Sequence, residues 1–465
     1  MNTLVNALRT RDNRTENGMM TNSSTLNACV DLFFTIGAMR GQDKKRLISN
    51  FSKAFNEDAL TAMRTLFWVR DVRGGAGERQ IFRDIMQYLV DNHADALGKN
   101  LSHIPEYGRW DDLLVLFGTR FDTEAKQLIA DALTAKNGLC AKWMPRKGKE
   151  AIAIERFMKL TPKQYRKMLV ENTKVVETAM CQNEWGVITY EHVPSVAMSR
   201  YTKAFGKHDA DRFTKYKTGD TKVNAGAVYP YDVIKTLRFG DQTMANKQWS
   251  AIPNYMENNN ERLLPVCDVS GSMGSPAGTN ANVTCMDVCI SLGLYISEKN
   301  EGPFKNAFIT FSESPRLQYL NGNLSDRYNQ LSRAEWGMST NLESVFRVVL
   351  NKAKSSNLPE SEMPTTILIM SDMEFNQACR GNDTALDMIK REYESAGYTM
   401  PKIVFWNIQS RHAGNYPVQV TDKGTALVSG FSPAILKSLL TGEDMSPVAI
   451  MNKTVHSARY EAITV

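Results

Sequence analysis

Residues that announce covalent or redox chemistry are scarce in this chain. Its seven cysteines, at 29, 140, 181, 267, 285, 289 and 379, form no CxxC pair and are odd in number, which excludes a disulfide framework and a zinc ribbon. Cys285 and Cys289 stand one helical turn apart, the spacing of packed residues on one helix face. Histidine occurs six times, and no Ser/His/Asp set is evident. No apolar run approaches the roughly 20 residues of a membrane span. The opening "MNTLVNALRTRDNRTENG" lacks the apolar core of a secretory signal. The expectation is a cytoplasmic protein with no membrane partner.

What is present is a globular composition, 42% hydrophobic and 23% charged over 465 residues, and a length that calls for at least two domains. Residues 1–250 carry 38 Lys and Arg against 28 Asp and Glu, a net +10, while residues 251–465 carry 18 against 22, a net −4. An anionic partner therefore belongs to the first half. From Leu26 to about Lys247 the hydrophobics recur at three-to-four spacing, as in "LTAMRTLFWV", "RQIFRDIMQYLVDNHADAL" and "AKQLIADALTAK", which predicts helices in hairpin-like pairs and an all-α array of the solenoid kind without a clean repeat period.

Three breaks in that array concentrate cations and aromatic rings: "RDVRGGAGERQIF", "PEYGRWDDLL" and "KWMPRKGKE". The glycines of the first follow a helical pattern, with neither a strand before them nor a Walker lysine, so they predict a tight interhelical turn rather than a nucleotide loop. Arg70, Arg73 and Arg79, then Arg109 beside Trp110, then Lys142, Arg146, Lys147 and Lys149 around Trp143 are candidates to grip phosphates and stack unpaired bases. The same residues could instead lock helix pairs, Arg70 with Asp71 and Arg109 with Asp111 or Asp112.

After the polar stretch "NYMENNNERL" the pattern changes to short apolar runs, "LLPVCD", "NAFITF", "TTILIMSD", "KIVFWNI" and "TALVSGF", alternating with amphipathic ones. This predicts βαβ units and a doubly wound, mostly parallel sheet. Boundaries follow at 1–255 for the helical domain, 256–445 for the α/β domain and 446–465 for a helical and strand-like tail packing back. Asp268 and Asp372 each close a strand at the carboxyl edge, where such sheets bind ligands. Asp268, Ser270 and Ser272 form D-x-S-x-S, and Thr340 follows a glycine loop. These five oxygen side chains suit a hard divalent cation, Mg2+ before Ca2+, with a position left open for a partner's acidic oxygen. A hydrolase elbow would need glycine where Asp268 stands. An aspartyl-phosphate enzyme would want an acid at 270, and simple capping of a turn by these groups is the plainest alternative.

The D-x-S-x-S run with the later Thr and Asp resembles the metal-ion-dependent adhesion site of a von Willebrand factor A domain over about residues 258–442. That resemblance implies direct ligation by Ser270, Ser272 and Thr340, with Asp268 and Asp372 direct or through water. The helical motifs, among them "TNSSTLNACVDLFFTIGAMRG", "IPEYGRWDDLL", "LTPKQYRKML" and "VPSVAMSRYTKAFGKHD", resemble an uncharacterised domain family of plants, bacteria and large viruses. Its layout is similar to the Ro autoantigen, a TROVE module of HEAT-like helices, able to close into a ring, joined to an A domain. The resemblance implies a non-enzymatic ribonucleoprotein that binds small noncoding or misfolded RNA. The competing reading is a metal-dependent protein-protein scaffold, and a hydrolase or nuclease is disfavoured because one hydroxyl-rich site is not a two-metal centre.

Overall fold

The computed structural model describes residues 12–173, 175–257, 259–278, 283–311, 315–334, 340–376, 385–412, 414–440 and 445–465. Two short strands, β1 (Asn13–Arg14) and β2 (Met20–Thr21), pair antiparallel at the amino-terminal end. The longer helices up to residue 218 are α1 (Ala28–Ile36), α2 (Lys44–Glu57), α3 (Ala59–Arg70), α4 (Arg79–Asn92), α5 (Asp122–Thr134), α6 (Lys149–Phe157), α7 (Pro162–Asn172), α8 (Ser195–His208) and α9 (Ala210–Thr218). A sheet is then built from β3 (Leu263–Cys267), β4 (Ala307–Thr310), β5 (Leu317–Tyr319), β6 (Thr366–Ser371), β7 (Lys402–Asn407) and β8 (Thr425–Ser429), with α10 (Cys285–Lys299), α11 (Leu342–Ser356) and α12 (Pro447–Val455) among its helices.

The six strands lie in the order β5-β4-β3-β6-β7-β8, parallel except for β5, which runs antiparallel to β4. The five apolar runs of the sequence are these five parallel strands, and β3, β4, β6 and β8 are buried at every position, as strands covered on both faces must be. The order reverses between β3 and β6, so the crevice outside their carboxyl ends is the natural ligand position. Cys285 and Cys289 are buried on α10, with the Cys289 thiol donating to the carbonyl of Met370 at 3.5 Å. The stretch "SPAILKSLLTG" forms a 3-10 turn, Pro433–Ile435, followed by a single α turn, Leu436–Leu439.

The chain packs as two compact units: 1–61, 229–234 and 254–457 form one, and 62–228, 235–253 and 458–465 form the other. A helical domain running unbroken from residue 1 to 255 is therefore not what forms. The reason is α1, "ACVDLFFTI", where Cys29, Val30, Leu32, Phe33, Phe34, Thr35 and Ile36 are all buried. A helix apolar all round needs cover on every side, and α1 finds it against β8. The Ser429 hydroxyl donates to the carbonyl of Phe33 at 2.7 Å and accepts from the Gly37 amide at 3.1 Å, while Asn407 Nδ2 donates to the carbonyl of Phe34 at 3.3 Å. The tail also divides: α12 packs on β8 in this unit and contains no strand, and only residues 458–465 join the helical unit.

Within the helical unit Phe67 lies edge-on to Phe82 and Tyr107, with ring centroids 5.4 and 5.5 Å away. A second cluster gathers Tyr190, Phe205, Phe213 and Tyr216 with Met198 and Met244. The "GGAG" stretch is the tight turn expected: the carbonyl of Asp71 accepts from the amides of Gly75 and Gly77, and that of Trp68 from the amide of Ala76. A Cβ at Gly75 would come within 1.8 Å of the Trp68 carbonyl oxygen, a backbone atom that no rotamer change can move. Gly75→Ala is expected to destabilise the chain by on the order of 3 kcal/mol in urea unfolding, whereas Gly186→Ala, with open space around its Cβ, should cost a small fraction of that.

Candidate functional site

The register of β3 on β6 pairs Cys267 with Met370, so the next residues, Asp268 on one strand and Ser371 and Asp372 on the other, emerge side by side at the crevice. All three are buried. Asp268 accepts from the Ser270 amide (2.9 Å) through Oδ1 and from the Ser371 hydroxyl (2.5 Å) through Oδ2. The hydroxyls of Ser270 and Ser272 lie 3.1 Å apart, and Ser272 donates to the Asp372 carboxylate. Burial pushes the Asp268 carboxyl up to about 6, with the nearby Asp372 charge adding to it, and burial raises Asp372 as well. Two carboxylates at one desolvated edge favour a cation between them. The one supplied by the chain is Arg411, whose Nη2 lies 3.2 Å from Asp372 Oδ2 and also donates to the carbonyl of Ser272.

Four of the five expected ligands are thus brought together. Thr340 is engaged by other groups, its hydroxyl donating to the carbonyl of Glu374 at 2.7 Å and lying 3.1 Å from Asn376 Oδ1; the preceding "WGMS" lies outside the described residues. Among the described residues no group of three or more His, Cys, Asp or Glu gathers as metal ligands, so a cation here depends on hydroxyl oxygens. An all-oxygen set of two carboxylates, one of them already paired with Arg411, and two or three hydroxyls would suit Mg2+. Three participants were not read from the sequence. Glu374 and Arg411 are single residues beyond strand ends with no motif around them. The third is the β1–β2 turn: Thr15 Oγ1 donates to the carbonyl of Phe375 (2.6 Å), the Glu16 amide to Glu374 Oε2 (2.7 Å), and Asn17 Nδ2 to the carbonyl of Glu374 (2.7 Å) and to Thr340 Oγ1 (3.3 Å).

The cationic candidates of the helical unit separate into two groups. Arg70 is 4% exposed and, with Arg83, holds the fully buried Asp112, which receives Arg70 Nε at 2.8 Å, Arg83 Nε at 2.7 Å and the Arg109 amide at 2.9 Å. Arg109 forks onto Asp111 and lies 3.7 Å over the Trp143 ring, while Lys142 reaches Glu177 at 3.2 Å. Arg70, Arg109, Lys142 and Trp143 therefore lock helices, and Trp110 is half-buried in the same knot. Arg73, Arg79, Arg146, Lys147 and Lys149 are exposed. Arg79 has its pKa lowered by partial burial and then by the like charges of Arg109 and Arg83.

The exposed group extends further than expected. Residues 146–167, the loop before α6 through most of α7, carry eight Lys or Arg against Glu150 and Glu155. Arg146, Lys147, Lys149, Arg156, Lys159, Lys163, Arg166 and Lys167 all face solvent. Among the described residues only Lys149 and Lys167 of this group have carboxylate neighbours, at 3.8 and 3.6 Å. Tyr165 of α7 donates to the carbonyl of Pro145 at 3.1 Å and so fixes the loop beside the helix.

Residues 15–125 and 120–263 match the model of Domain of unknown function (DUF2828), and residues 262–462 match that of Domain of unknown function (DUF7788). The chain belongs to the DUF2828 family. Uncharacterized protein L728 of Acanthamoeba polyphaga mimivirus is 32% identical over 502 residues, which cover 94% of this DUF2828 chain and 86% of the viral one. The crystal structure of Deinococcus radiodurans RO (RSR) protein aligns with a TM-score of 0.49 at 15% identity, over 93% of this chain and 100% of that one. No helix among the described residues of this DUF2828 protein is long and apolar enough to cross a membrane.

Two outcomes follow. Asp112→Ala should destabilise the protein by about 3–5 kcal/mol, because it leaves buried Arg70 without its counter-charge, as read by urea unfolding. In chelator, Asp268 binds its proton more tightly folded than unfolded, so its contribution to stability should be lost as pH rises from the ordinary value of 3.8 through about 6. Thermal unfolding across that range should show the loss, and added Mg2+ should oppose it above pH 6.

Proposed function

We propose that this DUF2828 protein is a non-enzymatic, Ro-like RNA-binding protein, in which the helical unit grips RNA and the α/β unit serves as a metal-dependent A domain. The observation that carries the reading is the exposed run of cations from Arg146 to Lys167. Among the described residues most of these side chains have no carboxylate to satisfy them, and they share one loop and two consecutive helices. Such a surface attracts a phosphate backbone irrespective of base sequence, through release of condensed counterions. Arg73 and Arg79 add to the cationic surface of the unit, and the HEAT-like, ring-closing arrangement of the Ro layout would set a path for the strand.

In the α/β unit, Asp268, Ser270, Ser272 and Asp372, with Thr340, would hold Mg2+. The cation would offer a Lewis-acid position to an acidic oxygen of a protein partner or of the chain itself. The buried Asp268 and Asp372 orient the serine hydroxyls, and Arg411 balances the edge. Nothing in this division of labour requires catalysis.

The two roles separate by mutation. The triple variant Arg146→Ala, Lys147→Ala, Lys149→Ala removes exposed side chains and should leave the fold intact. It should weaken binding of a structured RNA with a single-stranded end and reduce the slope of log K against log salt by about two to three, near one for each phosphate no longer neutralised. Asp268→Ala should leave that slope unchanged. Unaltered RNA affinity in the triple variant, or tight binding insensitive to salt, would favour the metal-dependent scaffold.

A further inference from the structure

A second surface of the helical unit is built on rings as well as charge. Trp185 opens a short 3-10 turn, Trp185–Val187, and stacks on His208 at the end of α8, with ring centroids 4.5 Å apart and planes 6° from parallel. Tyr190, Phe205, Phe213 and Tyr216 are buried together in the neighbouring cluster. Trp185 lies on the rim of that cluster, T-shaped to Phe205 with centroids 6.5 Å apart; it is half-buried, and His208 is exposed. The pair is held in place. The indole N–H donates to Asn183 Oδ1 (2.7 Å), and Arg212 of α9 donates to the carbonyls of Trp185 (3.0 Å) and Ile188 (2.6 Å) and to Asp209 (2.9 Å).

What the pair leaves free faces solvent. Among the described residues no hydrogen bond, ion pair or second ring engages the His208 imidazole. A Cβ at Gly186 or Gly206, close in sequence to the two rings, would meet nothing within 4 Å, so the space around the stack is open. Arg200, Lys203 and Lys207 recur at three- and four-residue spacing on α8, which sets them on one face leading to His208. All three are exposed and have no carboxylate partner among the described residues. Of the four acids between residues 184 and 217, Asp209 is taken by Arg212 and the Tyr190 hydroxyl (2.7 Å), and Glu184, Glu191 and Asp211 pair with none of the three cations. Lys207 and His208 also suit the carbonyl end of a helix, but that role asks for no parallel ring stack.

We propose that His208 and Trp185 form a stacking platform for one unpaired base of single-stranded RNA, the base lying on the free face of the imidazole and the adjoining phosphates on Lys207, Lys203 and Arg200. Every base has a π-face, so an open ring accepts any of them, and cations beside it hold the backbone without reading sequence. An acidic peptide would use the cations and leave the ring face idle. A duplex keeps its bases stacked on one another and would do the same, so the platform favours unpaired nucleotides. The inference rests on the RNA-binding reading and deepens it: the 146–167 surface supplies charge, and this one distinguishes a strand with free bases.

The test is equilibrium binding to the full chain of a fluorescein-labelled oligo(A) strand of about ten nucleotides, beside a strand of equal length and charge made of abasic sugar phosphates. His208→Ala changes an exposed side chain and should weaken oligo(A) binding about fivefold or more, the low end of the loss for one stacked base. It should leave the affinity of the abasic strand unchanged, and with it the dependence of log K on log salt. His208→Phe keeps a ring and should restore oligo(A) binding to near the wild-type level. Unchanged oligo(A) binding in His208→Ala, an equal loss on the abasic strand, or no recovery in His208→Phe would overturn the platform. If the triple variant at 146, 147 and 149 still weakens both strands in that case, RNA binding stands without the platform. A wild-type chain that binds neither strand overturns both.

Discussion

Two acids at the ends of adjacent parallel strands impose the constraint around which the α/β unit is arranged. Asp268 and Asp372 are desolvated and within each other's field, and repulsion at that depth can be met only by protonation, a counter-cation or hydrogen-bond donors. The surrounding sequence is rich in such donors: Ser270, Ser272 and Ser371 surround the pair, and Arg411 comes in from the β7 side. A sheet that reverses its strand order there leaves space above the edge. The same geometry that sets the two acids against each other gathers carboxylate and hydroxyl oxygens at one buried edge.

The helical unit settles the opposite problem, an excess of positive charge, by sorting it. Asp112 and Asp111 take up Arg70, Arg83 and Arg109, binding α3 and α4 to the turn that follows them. Aromatic side chains join that knot rather than waiting for bases, as with Trp143 under Arg109. Part of what is left unneutralised lies between residues 146 and 167, where the carboxylates are few and Glu155 is buried. A surface defined by what the interior did not consume is a physical rather than a compositional reason to look there for a polyanion.

The five parallel strands were legible to within a residue or so, because a buried strand is a short apolar run bounded by polar breaks. β5 was not, since Leu317 and Tyr319 are exposed and the segment has only three residues. The helix at 28–36 was legible as a helix but not as a neighbour of β8, because periodicity reports a buried face and not what buries it. Asp268, Ser270, Ser272 and Asp372 were found from their spacing and from the strands that precede them. Pairings such as Arg70 with Asp112, 42 positions apart, carry no local signal, which is why structural and exposed arginines looked alike. Glu374 and Arg411 owe their place to the loops that present them, and no pattern within the sequence marks them.

The interleaving of the two units has a consequence for biosynthesis. Asp71, buried beneath the glycine turn, is matched by Arg459 and by the hydroxyl of Tyr460 at 3.0 Å, so an acid made early waits for partners made nearly 390 residues later. On the ribosome, where chains emerge amino-terminal first, neither unit can complete its core in sequence order. Residues 12–61 must stay unburied until β8 exists, and the helical unit must do without residues 458–465 until the rest has emerged. Nascent chains stalled before residue 425 should therefore present apolar helices such as α1 to chaperones.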